Sequence, residues 1–396
     1  MPSKSQLQCP ICQSPDVSNV IEIEKLPVEV SDLYASYDEA LAAVRGEISL
    51  GFCHHCTFVF NQAYETEKIQ FKPGYEASLA HTRTFRQYID DLSQRLIANF
   101  ELRNKSVLDI GCGDGYLLKE LCRRGANRGV GIDPTIKQEK TEQVGNGSVQ
   151  FISKYFSAKY QSFVKDFICS ISVFETMPDP RQFLTDLRKM IGSNQQTGVY
   201  FEVPNASYMF ERQATWSIYY EQFGHYTAQS LASLFRLCDF EVLDCGTCYE
   251  DGQYVFVEAR PGASEANGQQ VNGSDRHDLP SPLKDFARVH KMNVSAWKVQ
   301  LQQMHSDGDR IMAWGSGGKG SSFLNLLDTR DLIPYVVDIN PERQGKHIAG
   351  SAQEIVPPEY CATFKPDVIV ITNPIYEREI KKQVYELGVK CRFVSI

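Results

Sequence analysis

An α/β protein with two doubly wound sheets, preceded by a small cysteine-rich unit, is the fold class this 396-residue sequence predicts. Three observations predict it. Two passages read strand, Gly-rich turn, helix, one starting near residue 106 and one near 310. Short apolar runs alternate with helix-length segments around both passages. Two Cys-x-x-Cys pairs are confined to the first 66 residues. The length itself asks for two or three domains. Composition shifts divide the chain into residues 1–66, 67–260 and 283–396. Between the last two lies PGASEANGQQVNGSDRHDLPSP (261–282), whose Gly, Ser, Asn and Pro predict a flexible linker.

Bulk properties narrow the function classes. A formal charge of -8 lacks the basic face that phosphate backbones require, so no nucleic-acid partner is expected. No apolar run approaches the roughly 18 residues of a membrane span. The opening MPSKSQLQCPIC has no apolar core of a signal peptide. The expectation is therefore a cytoplasmic protein whose partner is a small molecule. Its 12 cysteines then read as free thiols and metal ligands, not disulfides.

The elements follow in order. Cys9 and Cys12, with Cys53 and Cys56, form two knuckles. A two-residue gap lets two thiolates from one turn face one ion, and two such turns complete a tetrahedron. Four thiolates select Zn²⁺, with no open position, so the site is expected to be structural. His54 or His55 could replace one cysteine.

Ser106–Ile110 reads as a strand containing Asp109. The turn Gly111-Cys112-Gly113-Asp114-Gly115 follows, and a helix opens at Tyr116. Glycines at alternate positions let backbone turn sharply and approach a ligand. The next strand ends in Asp133, placed to accept ribose hydroxyls. A G-x-G-x-G loop with an acid on the preceding strand favours S-adenosylmethionine over NAD, because the donor's ammonium prefers carboxylates to a pyrophosphate cradle. Asp166–Ser172 is a strand whose end, Ser172, borders that cofactor. The following VFETMPDP lies along it. Gly198–Pro204 is the next strand, and Tyr219-Tyr220-Glu221-Gln222-Phe223-Gly224-His225 comes soon after, at the carboxyl edge where such sheets bind substrates. The second glycine passage, Gly315-Ser316-Gly317-Gly318-Lys319-Gly320 with Asp338 beyond it, read alone suggests NAD. Lys319 is not followed by Ser or Thr, so it is no P-loop; Lys319 and the helix start remain able to hold a substrate's phosphates.

The paired knuckles, LDIGCGDGYLL, EVPN followed by YYEQ, and AWGSGGKGSSFLN…VVDINPERQGK together resemble the zinc-containing, S-adenosylmethionine-dependent sugar C-methyltransferases over nearly the whole chain. The resemblance implies a class I methyltransferase Rossmann-like domain, a second Rossmann-like domain that helps hold the sugar nucleotide, and a small N-terminal zinc domain. It implies methylation of a nucleotide-activated keto-deoxysugar. Tyr75 and Glu76 match a segment that reaches the family's active site. The family commonly reads Tyr-x-Glu-His where this chain has Tyr219-Tyr220-Glu221-Gln222, and glutamine takes no proton at neutral pH. The sequence therefore suggests His225 as base, Glu221 as its orienter or as base itself, Tyr75 and Tyr219 as donors to an enolate oxygen, and Gln222 as a substrate contact. O- or N-methylation of another metabolite stays open.

Overall fold

The computed structural model describes residues 8–262 and 276–396, so residues 263–275 of the expected linker lie outside the described residues. The first sixty-odd positions give β1 (Val17–Pro27), β2 (Leu33–Tyr34), β3 (Arg45–Cys53) and β4 (Val59–Asn61). The central region gives β5 (Ser106–Ile110), β6 (Arg128–Ile132), β7 (Lys140–Val144), β8 (Gly147–Ile152), β9 (Phe167–Ile171), β10 (Gly198–Pro204), β11 (Gly224–His225), β12 (Phe240–Cys248) and β13 (Tyr254–Pro261). The last region gives β14 (Ile311–Trp314), β15 (Tyr335–Val337), β16 (His347–Ile348), β17 (Glu354–Val356), β18 (Val368–Ile371) and β19 (Arg392–Ser395).

The central sheet runs β12-β13-β10-β9-β5-β6-β8-β7, parallel from β10 to β8. Its inner strands are nearly continuous apolar runs because helices cover both faces. SVLDI and FICSI bury almost every side chain. The helix Tyr116–Gly125 starts on Gly115 in the left-handed region (φ 73°) and buries Leu117, Leu118, Leu121 and Cys122 against the sheet. This is a Rossmann-like doubly wound sheet with antiparallel edge strands, as expected.

The C-terminal sheet runs β19-β18-β14-β15-β17-β16-β2, so its edge is supplied by residues 33 and 34. The N-terminal sheet runs β1-β3-β4-β11, so its last strand comes from the central region, with His225 opposite Val59. The three units are therefore interleaved. Arg343, 4% exposed, donates across this junction to Ser31 Oγ at 3.1 Å and to the Glu76 carbonyl. No described helix is long and apolar enough to cross a membrane.

Candidate active site and cysteine cluster

One cavity of about 1650 Å³ reaches from the central Gly-rich turn to the C-terminal one. At the donor end, Gly111, Gly113 and Gly115 have φ of 74°, 53° and 73°, where a side chain strains the backbone. A Cβ on Gly113 would meet nothing within 4 Å, so the space beside it is left for a ligand. Asp133 is buried and locked in place. Its Oδ2 accepts the Gly113 N–H at 2.8 Å, and its Oδ1 accepts the Thr135 N–H and hydroxyl at 2.7 and 2.6 Å. Burial, with Asp133 nearby, pushes the Asp109 carboxyl up to about 7. Ser172 sits at φ 54° beyond β9 and lines the same cavity, as do Cys112 and Asp114. Asp114 accepts the Ser78 hydroxyl at 2.5 Å, tying the Tyr75 segment to the donor turn.

Asp133→Ala removes a charged acceptor from a buried site. A loss of roughly 1.5–3 kcal/mol, about ten- to a hundredfold in affinity for S-adenosylhomocysteine, is the expected result by calorimetry.

In the middle of the cavity stand Tyr75, Tyr219, Glu221, Gln222 and His225. Glu221 is 7% exposed; its Oε1 accepts the Tyr75 hydroxyl at 2.9 Å and its Oε2 the Val30 N–H at 3.1 Å. Burial is the largest cause that raises its carboxyl to about 7. His225 is held on β11, buried, and pushed down to about 4 by desolvation alone, with no partner at Nε2 among the described residues. Tyr219 packs against the C-terminal turn, so closely that a Cβ on Gly318 would stand 2.8 Å from its Cζ.

Two buried cavity carboxyls were not singled out from sequence, Glu175 and Glu202. Glu202 accepts the Tyr200 hydroxyl at 2.5 Å and that of Tyr88. The signal for Glu175 was its place in VFETMPDP, the stretch expected to follow the cofactor-bordering strand. At the far end, among the described residues Lys319 Nζ hydrogen-bonds only neutral oxygens, Gln253 Oε1 at 2.8 Å and Asn373 Oδ1 at 3.4 Å, and burial lowers it to about 8.

Outside the cavity, the ligand atoms of Cys9, Cys12, Cys53 and Cys56 all lie within 4.8 Å of one another. Cys9 Sγ is 3.5 Å from Cys56 Sγ, and Cys12 Sγ is 3.5 Å from Cys53 Sγ. Each knuckle closes alike: Gln13 N–H to the Cys9 carbonyl at 2.8 Å, and Thr57 N–H to the Cys53 carbonyl at 2.9 Å. This spacing fits four sulfurs about 2.3 Å from one Zn²⁺. His54 is occupied elsewhere, taking the Ser18 hydroxyl at 2.7 Å and giving a hydrogen bond to the His277 carbonyl at 2.6 Å. The described cluster that could hold a metal ion is thus all cysteine, and His54 does not replace one of the four.

Comparison with known proteins agrees with this architecture. Residues 79–244 match the family model of a methyltransferase domain, and residues 274–395 match that of a C-methyltransferase C-terminal domain. C-methyltransferase NovU of Streptomyces niveus is 22% identical over 403 aligned positions, covering 96% of this chain and 93% of that protein. The mitochondrial ubiquinone biosynthesis O-methyltransferase of Dictyostelium discoideum is 30% identical over 107 positions, 23% of this chain and 33% of that one. Among solved structures, magnesium protoporphyrin IX methyltransferase of Synechocystis PCC 6803 with bound S-adenosylhomocysteine covers 45% of this chain and 84% of its own, at 14% identity and a TM-score of 0.36. The family matches, with the sheet order and the Gly-rich donor turn, define a class I S-adenosylmethionine-dependent methyltransferase. More particularly, the chain carries both matches in one polypeptide, a methyltransferase domain followed by a C-methyltransferase C-terminal domain.

Proposed function

We propose that the enzyme methylates a carbon beside the ketone of a nucleotide-activated keto-deoxysugar, with Glu221 as the base. The observation that carries this reading is the setting of Glu221: buried in the one cavity that joins both glycine turns, oriented by Tyr75 and Val30, with its carboxyl raised to about 7. A base poised near neutrality suits removal of a carbon-bound proton. His225, lowered to about 4, is a poor proton acceptor at pH 7, so the base is assigned to Glu221 in its place. Tyr75 gives its only hydroxyl proton to Glu221 and therefore positions the base; it has none left for an enolate. Tyr219 and Gln222 contact the substrate. When bound at Asp109, Gly111–Gly113 and Asp133, S-adenosylmethionine supplies a methyl group on a sulfonium sulfur that departs as the neutral sulfide.

The likeness to C-methyltransferase NovU over 96% of the chain supports carbon as acceptor. Lys319, beside the start of the helix Gly318–Leu327, supports a diphosphate at the far end of the cavity. Lys319→Met is expected to raise the KM for a nucleotide sugar about ten- to a hundredfold with kcat little changed, because a phosphate contact away from the reacting carbon binds ground and transition states alike. We further assign a structural Zn²⁺ to the four cysteines.

The deciding experiment is deuterium wash-in. The enzyme, incubated in deuterated water with a nucleoside diphosphate 4-keto-6-deoxyhexose and no methyl donor, should exchange the proton beside the ketone, and Glu221→Gln should not. Methylation of any acceptor oxygen or nitrogen without such exchange would favour the O- or N-methyltransferase reading.

A further inference from the structure

Residues 75–78 touch every part of the cavity. Tyr75 gives its hydroxyl to Glu221. The Glu76 carbonyl accepts from Arg343, and Glu76 Oε1 accepts the Asn340 amide at 3.2 Å and the Ser78 N–H at 3.1 Å. Ser78 Oγ donates to Asp114, which stands between Gly113 and Gly115 in the donor turn. Arg343 reaches on from Nη1 to the Ser316 carbonyl and hydroxyl, at 2.9 and 3.0 Å, in the C-terminal glycine turn. Asp114, Ser78, Glu76, Arg343 and Ser316 thus form an unbroken row of contacts from one glycine turn to the other. Tyr75 is its branch to Glu221.

This strap has little else to hold it. Residues 69–82 run between the short helix Thr66–Lys68 and the helix Arg83–Asn99 with no regular pairing beyond the bridge of Pro73 to Tyr75. None of them is fully buried, and most line the cavity. A stretch without buried apolar contacts opens at low free-energy cost, so its order depends on the hydrogen bonds it makes at each end. Arg343, 4% exposed, is a firm post at one end; the Ser78–Asp114 contact at the other lies near the surface. A ligand that fixes either turn draws the strap into order, and the next ligand meets a site whose ordering cost is already met.

We propose that Ser78 is a positioning residue: by tying the strap to Asp114 it couples the two glycine turns. A donor held at Gly111 and Asp133 then tightens the acceptor held at the C-terminal turn, and Tyr75 aims Glu221 best when both are in place. The identity of the acceptor and the role of Glu221 rest on the reading of the previous section; the coupling of the turns does not. The device has a chemical use. An enolate formed without a methyl donor beside it only takes a proton back.

The test uses the whole enzyme with Ser78→Ala, which removes the hydroxyl from a partly exposed position, and Ser78→Thr, which restores one. First, hydrogen exchange is followed by mass spectrometry with S-adenosylhomocysteine alone. Protection should rise at the donor turn, at residues 75–79 and at residues 316–319 in wild type and Ser78→Thr. In Ser78→Ala it should rise at the donor turn only. Second, calorimetry uses thymidine diphosphate 4-keto-6-deoxyglucose as the acceptor probe. S-adenosylhomocysteine should tighten the sugar about tenfold in wild type and Ser78→Thr, and the sugar should tighten S-adenosylhomocysteine by the same factor. In Ser78→Ala that factor should be about one, whatever each affinity has become by itself. Third, S-adenosylhomocysteine should speed deuterium wash-in about tenfold in wild type and leave it unchanged in Ser78→Ala. Protection confined to the donor turn in wild type overturns the proposal whatever the sugar does, as does a Ser78→Ala enzyme with the wild-type factor. Protection that spreads in wild type but not in Ser78→Ala, with a sugar that binds none of the three proteins, upholds the coupling and overturns the keto-sugar reading.

Discussion

Glu221→Gln is expected to lower turnover by on the order of a hundredfold or more, the usual contribution of a general base, while affinity for S-adenosylhomocysteine stays unchanged. The amide keeps the shape and can still meet Tyr75 and Val30, but accepts no proton. The pH dependence has a definite sign. The ionised carboxyl is the active form, so wild-type turnover rises as pH passes through about 7. Stability moves the opposite way. Glu221 is raised from 4.5 in the free chain to about 7 in the fold, so the stability present below 4.5 is lost as pH rises through 7. Glu221→Gln should therefore melt above wild type at pH 8. His225→Asn supplies the contrast: a neutral amide replaces a neutral imidazole, and turnover should stay within about tenfold. If His225→Asn is the dead enzyme and Glu221→Gln the active one, the two roles are exchanged.

Loss of the metal should have the largest effect on stability. Elemental analysis should find one zinc per chain, and Cys53→Ser should lose it. Structural zinc contributes about 10–16 kcal/mol of apparent binding energy that is also folding energy, so a large drop in soluble yield and melting temperature is expected. The consequence extends past the knuckles. β3 ends at Cys53, β4 pairs with β3, and β11 with His225 pairs with β4. Soluble Cys53→Ser should thus bind S-adenosylhomocysteine at the separate Gly111–Asp133 site but turn over poorly. A zinc-free variant with unchanged melting temperature would sink the structural role.

What was legible in the sequence was local. Ser106–Asp133 holds strand, turn, helix and terminal acid within 28 consecutive residues, each enforced by its own chemistry: apolar run, left-handed glycines, amphipathic helix, carboxylate. The cysteine knuckles are local for the same reason, and both passages fold as their spacing suggests. Sequence singles out Glu221 and His225, which share the cavity, but not the order of their basicity, because it depends on desolvation by elements far off in the chain. Val30 and Tyr75, which bond to Glu221, lie 191 and 146 positions away. Strands of two residues, such as Leu33–Tyr34 and Gly224–His225, are too short to show periodicity, so the interleaving of the three units was invisible. Glu175 was overlooked because a single acid in a turn ordinarily faces water, and only packing reveals that this one does not.

The borrowed edge strand also bears on how the enzyme is made. Ser31 and its partner Arg343 are 312 positions apart, and β2 joins a sheet whose remaining strands begin only at Ile311. During synthesis the early segment emerges long before the surface that receives it, and it must wait without its hydrogen bonds. Closure of so long a loop makes folding slow and leaves an open edge exposed meanwhile. The C-terminal segment expressed by itself should bare the edge of β16 and aggregate. Supplying residues 8–78 as a separate chain should restore its solubility, by returning the β2 segment to that edge.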